Sequence, residues 1–115
     1  MNDSILTYIK KMHGIDETCT DFDIDLITHI NTVLMILTQM GLGPSTGFSI
    51  VDKNAVWSDL LSDSTILEGV KSYIYLKVRL IFDTPTNTTV ITSINSTIKE
   101  LEWRIFNVVD SPTIT

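Results

Sequence analysis

Residues 87–109 read NTTVITSINSTIKELEWRIFNVV, and the apolar side chains of this stretch recur at alternating steps of three and four. This spacing places them on one side of an α-helix, because about 3.6 residues complete each turn. The pattern covers fewer than three heptads, which predicts a packed helix rather than an extended coiled coil. The seam consists of Ile91, Ile94, Ile98, Leu101, Ile105 and Val108.

Similar spacing predicts three further helices upstream. They are a short one capped by Asp3 or Ser4, a long one over about residues 21–40, and a long one from Asp63 or Ser64 to about residue 83. We expect the seam as far as Ile105 to be buried against the apolar stripes of both long helices, on Leu26, Ile30, Val33 and Leu37 of the first and on Ile74 and Val78 of the second. These stripes are Leu26, Ile30, Val33, Leu37 and Met40 in the first, and Ile66, Val70, Ile74, Val78 and Ile81 in the second.

Residues 41–63 form a different region, which opens with glycine, proline, serine and threonine. Phe48 and Ile50 alternate with Ser49, so a short β-hairpin is one option there, and residues 54–61 predict a short helical segment. At 115 residues the chain is expected to be one domain, with a short polar tail from about residue 110. The predicted fold is all-α: a small helical bundle with two or three long helices, a short N-terminal helix and the loop region 41–63.

The composition excludes several classes of protein. Acidic residues outnumber basic ones 14 to 8, so free nucleic acid is a poor partner, because its binding depends on Lys and Arg at the phosphates. The longest unbroken apolar run, residues 33–37, is too short to span a membrane, and no signal peptide is expected. The single Cys19 fits a reducing compartment. Only 19% of the residues are charged, which suggests surface hidden in an assembly.

No constellation of residues predicts catalysis or a cofactor. Asp21, Asp23 and Asp25 have the spacing that opens a calcium loop, but Leu26 stands where that loop needs glycine and Thr32 where it needs glutamate. We therefore interpret these acids as the start of a helix, where negative charge is favourable. The two histidines and the cysteine form no close cluster in the sequence. The chain is predicted to hold no metal and not to be an enzyme.

Two groups of side chains suggest contact with a partner. One group lies on one side of the predicted helix that ends near residue 83, at steps of four residues: Lys71, Tyr75 and Arg79. The alternatives to an interface are a solvated helix face and an ion pair within the subunit. Trp57 and Trp103 lie away from the apolar stripes, and either is a candidate anchor unless it simply folds over a loop. These five residues are the predicted interface.

Several segments together resemble the head–tail connector, or adaptor, proteins of tailed bacteriophages and prophages. They are YIYLKVRLIFD at 73–83 with Pro85 after it, ELEWR at 100–104, Phe48-x-Ile50, and WSDLL at 57–61. The short helix followed by a long apolar one fits the same pattern, and the resemblance covers about residues 3–108. Thr84 departs from it, because a second proline is expected at that position.

The resemblance implies a structural subunit that joins a ring of about a dozen copies beneath the portal protein. Such a ring extends the DNA channel, lets DNA pass without sequence-specific binding, and receives the next head-completion or tail protein. The family has no catalytic residues, and no membrane is involved. The implied location is the bacterial host cytoplasm during assembly and then the head–tail junction of the virion. The alternative is a small phage-encoded helical module that binds or regulates a host protein; it would be a monomer or dimer, whereas a connector joins rings.

Overall fold

The computed structural model describes residues 3–62 and 64–110, and the side chains as far as residue 108. The predicted all-α class is confirmed. The helices in chain order are α1 (Ile5–Met12), α2 (Asp23–Gln39), α3 (Trp57–Leu60), α4 (Leu67–Phe82) and α5 (Thr88–Asp110). The predicted starts at Asp63 and the tail after residue 110 lie outside the described residues.

Local hydrogen bonds explain where several helices begin. Ser4 caps α1, since its hydroxyl oxygen accepts from the Thr7 N–H at 3.2 Å. The Asn87 carboxamide oxygen accepts from the Thr89 N–H at 2.8 Å at the start of α5, where the backbone N–H groups lack helical partners. Helix α2 begins at Asp23, two residues later than predicted, because residues 20–22 form a turn closed by the Asp23 N–H on the Thr20 carbonyl.

Helix α4 is the central element, with α2 packed on one side and α5 on another, while α1 packs on α2. The seam of α5 packs mainly on α4, and its buried members Ile94, Ile98 and Ile105 belong to the same apolar core as the stripe of α2. The interior is built mostly from the predicted stripes, although Ile81 of the α4 stripe is about half exposed. Its buried members include Leu26, Ile30 and Leu37 of α2, Val70, Ile74 and Val78 of α4, and Ile94, Ile98 and Ile105 of α5.

The seam of α5 is not buried along its whole length. Val108 is about half exposed, and with Leu101 it lines a depression of about 260 Å³ that also includes Ile66 and Gly69 near the start of α4. The C-terminal end of α5 therefore reaches the end of the surface that α4 can cover.

The loop region is fixed by side chains rather than by strands. Among the described residues it contains no strand, so the optional hairpin is absent; an isolated bridge joins Ser4 to Val56 instead. The Asn31 side chain of α2 pairs with both backbone groups of Ile50: its Nδ2 donates to the carbonyl at 2.9 Å and its Oδ1 accepts from the N–H at 2.7 Å. One amide thus takes the place of a neighbouring strand.

Candidate assembly surfaces

The predicted basic stripe begins on the side of α4 that faces α1. The Lys71 ammonium lies 4.5 Å from the centroid of the Tyr8 ring, a cation–π contact with α1. The Tyr75 ring meets the His13 ring edge-on, with 5.1 Å between centroids. Both side chains are therefore engaged within the subunit. Arg79 is only partly buried and has no ion-pair partner among the described residues.

Trp57 lies in the core, fully buried beneath the N-terminal part of the chain. Its backbone N–H donates to the Asp3 carbonyl at 3.2 Å, and the Ile5 N–H donates to the Ala55 carbonyl at 3.0 Å. The Tyr8 ring of α1 covers its indole, edge-on at 5.6 Å. The structure therefore corrects the prediction for Trp57, because the segment that precedes α1 leaves it no accessible surface.

Trp103 is an exposed aromatic side chain on the outer side of α5, with 64% of its surface accessible. It is two residues from the buried Ile105, hence about 200° around the helix at roughly 100° per residue. Phe106 is half exposed beside it, and Lys99 lies one turn earlier on the same side. We call Lys99, Trp103 and Phe106 the α5 ridge. Trp103 faces away from α4, and Lys99 and Phe106 flank it on the side of Glu102.

A groove of about 670 Å³ lies between α1, the start of α2 and the loop at residues 51–53. Its apolar lining is Leu6, Ile24, Ile27 and Val51. Ile24 and Val51 are the most exposed large apolar side chains of the described residues, at 81% and 82%. We call this feature the α1–α2 groove. Sequence reasoning missed it, because Ile24 stands among acids at a helix start and Val51 stands in a loop.

An ion pair lies at the base of the α1–α2 groove. The Lys10 ammonium is 2.9 Å from Asp23 Oδ1 and donates to the Glu17 carbonyl at 3.0 Å. Lys10 is the buried charged residue of the described chain. It joins the end of α1 to the start of α2 and fixes the loop between them. The contacts of Lys10 therefore hold the two walls of the groove in place.

A comparison with protein families identifies the family of the chain. The family model described as phage connector protein matches residues 5–112, a span that includes all five helices. The chain belongs to the phage connector protein family. Neither the search of curated proteins nor the search of solved structures found a match. The connector thus has a structural role in the head–tail connection of a phage, in a family that is structural rather than enzymatic.

Three titratable side chains of the connector, Tyr73, Lys77 and Glu102, join α4 to α5. The Tyr73 hydroxyl of α4 donates to Glu102 Oε2 of α5 at 2.8 Å, and Lys77 Nζ lies 3.6 Å from the same oxygen. Burial, and then the hydrogen bond to the Glu102 carboxylate, raise the pKa of Tyr73 well above its ordinary value. Because the phenol stays protonated, a neutral hydroxyl donates to a charged carboxylate in this contact. The hydrogen bond joins α4 to α5.

The histidines of the connector belong to an aromatic cluster at one end of α4. His13 Nδ1 donates to the Ile9 carbonyl at 2.9 Å, and its ring meets Phe82 edge-on at 5.6 Å. His29 lies 6.3 Å from the same Phe82 ring. Within residues 3–62 and 64–108, no group of three or more His, Cys, Asp or Glu could hold a metal ion. Of the three acids once compared with a calcium loop, Asp23 is engaged by Lys10.

A membrane-spanning role finds no support in these helices. As far as the structure describes them, none is long and apolar enough to cross a bilayer. Surfaces that offer exposed side chains to a partner include the α5 ridge, the α1–α2 groove and the partly buried Arg79.

Proposed function

We propose that the connector assembles with copies of itself into a ring of about a dozen subunits that docks beneath the portal protein. The match to the connector family over residues 5–112 carries this proposal. A ring repeats one contact between neighbours, so each subunit needs two different surfaces that fit each other. The exposed apolar ridge and groove supply two such surfaces. Arg79 and Trp103 remain the proposed interface residues from the predicted set.

The ring would extend the DNA channel and present its other end to the next head-completion or tail protein. The net charge of -6 supports a passive wall, because a surface poor in Lys and Arg offers DNA few phosphate contacts. Assembly would take place in the cytoplasm of the bacterial host before the protein enters the head–tail junction of the virion. In this role the residues bind protein and do no chemistry.

Electron microscopy of the connector mixed with the portal protein of the same phage tests the proposal. We expect an additional ring on one end of the portal, absent from portal alone. Sedimentation of the mixture should show the connector moving with the portal in a stoichiometry equal to the ring size. A connector that stays monomeric or dimeric beside an intact portal, and instead binds a host protein, would favour the alternative of a regulatory module.

A further inference from the structure

The α5 ridge and the α1–α2 groove lie on opposite sides of the subunit. On α4, Tyr73 contacts Glu102 of α5, whereas Tyr75 contacts His13 at the end of α1. Two residues apart means about 200° around the helix, so α1 and α5 flank α4 from opposite directions. Trp103 of the ridge faces away from α4 on the outer side of α5. A convex aromatic surface therefore stands on one side of the subunit and a concave apolar one on the other.

The charges of the two surfaces are complementary. Lys99 on the ridge has no ion-pair partner among the described residues. The charged lining of the groove consists of the Lys10–Asp23 pair together with Glu17, Asp52 and Lys53, which leaves one net negative charge. Asp21 and Asp25 are exposed nearby at the start of α2 and add to it. Charges of this kind mainly set the register and the rate of association.

We propose that the α5 ridge of one connector subunit docks in the α1–α2 groove of the next copy, with Trp103 as its anchor. The proposal rests on the proposed function, namely that copies assemble head to tail. Aromatic side chains that fill an apolar pocket at the centre of a contact commonly dominate its binding energy. Opposite placement lets the contact repeat from subunit to subunit, whereas a surface that met its own copy would close a dimer.

Cross-linking of two singly labelled proteins tests this pairing. In a Cys19→Ser background, Asn107→Cys places a thiol beside the intact ridge and Lys53→Cys places one at the groove. With a short bismaleimide and portal present, we expect the mixed pair to cross-link and each protein alone to give little dimer. Ser96→Cys is the matched control for Asn107→Cys: it is exposed on the same side of α5, 11 residues and about 16 Å earlier.

Two substitutions on exposed side chains test the energetics. Trp103→Ala on the ridge and Val51→Asp in the groove should each weaken the self-association of the connector about thirtyfold or more. Both should leave the thermal unfolding of the subunit unchanged, because neither side chain is buried. Sedimentation with portal at a series of connector concentrations measures the effect.

The outcomes separate this inference from the proposed function. If both variants form rings on portal as well as wild type does, the ridge–groove contact is overturned and the proposed ring is not. Three cross-linking results also overturn the ridge–groove contact. The first is that Ser96→Cys cross-links to Lys53→Cys as well as Asn107→Cys does. The second is that identical proteins cross-link in preference to the mixed pair, and the third is that portal captures the Asn107→Cys thiol instead of a second copy. If the wild-type connector forms no ring on portal and the labelled proteins give no mixed cross-link, both the ridge–groove contact and the proposed function are refuted. If a mixed cross-link forms without rings on portal, only the proposed function is refuted.

Discussion

The Lys10–Asp23 ion pair predicts that loss of the acid destabilises the connector more than loss of the base. The side chain of Lys10 is 4% exposed and that of Asp23 is 25% exposed. Asp23→Asn leaves a buried ammonium without its counter-charge, which costs about 3–5 kcal/mol in comparable cases. Lys10→Met keeps the apolar stem and leaves a carboxylate whose Oδ1 is buried but whose side chain is 25% exposed, so about 1–3 kcal/mol is expected.

Urea unfolding followed by circular dichroism gives both values, and Asp25→Asn is the matched control. Asp25 is exposed in the same first turn of α2, so its loss subtracts the interaction of an acid with the helix dipole. The reasoning is refuted if Lys10→Met costs as much as Asp23→Asn, because Lys10 would then not be the less accessible partner. It is also refuted if Asp23→Asn costs no more than Asp25→Asn.

Three further predictions concern the buried seam residue Ile98, the Tyr73 hydroxyl and the charge of Arg79. Ile98→Ala, in the buried seam, should cost about 2–5 kcal/mol, measured by thermal unfolding; unchanged stability would mean that α5 is not docked on α4. Because folding raises the pKa of Tyr73, its contribution to stability is complete below about pH 10 and is lost as pH rises through the folded-state pKa. Tyr73→Phe should flatten this alkaline slope in urea titrations, and a variant that keeps the wild-type slope would contradict this assignment. Arg79→Glu should leave the subunit folded but reduce ring yield on portal more than Lys11→Glu does, and added salt should weaken wild type too; equal yields for both variants would remove Arg79 from the interface.

Periodicity alone was enough to predict most of the helices, because their apolar positions follow a single spacing. The seam of α5 was identified for this reason, and Ile94, Ile98 and Ile105 are indeed buried. The limits of α1 were also predictable, since a capping serine and a glycine bracket it. Such signals are local and need no knowledge of neighbouring elements.

The errors arose where distant segments meet. Trp57 is one of the candidate anchors predicted from the sequence, but its side chain is buried and its backbone N–H donates to the carbonyl of Asp3, more than 50 positions away. Lys71 was assigned to a basic surface, but the Tyr8 ring provides a π face for its ammonium. No spacing within the helix that carries a residue reveals a partner on another element. The α1–α2 groove was missed for the same reason, since three separate segments line it.

The docking of α1 has a consequence for synthesis on the ribosome. Its partners include Lys71 and Tyr75, so α1 is made before α4 and completes its contacts only after α4 has been made. With 63 positions between Tyr8 and Lys71, and translation at roughly 5–20 residues per second, the wait is about 3–13 s. During that time its apolar side, which includes Ile5, is without α4. The nascent connector therefore exposes the amphipathic segment α1 until α4 has been made.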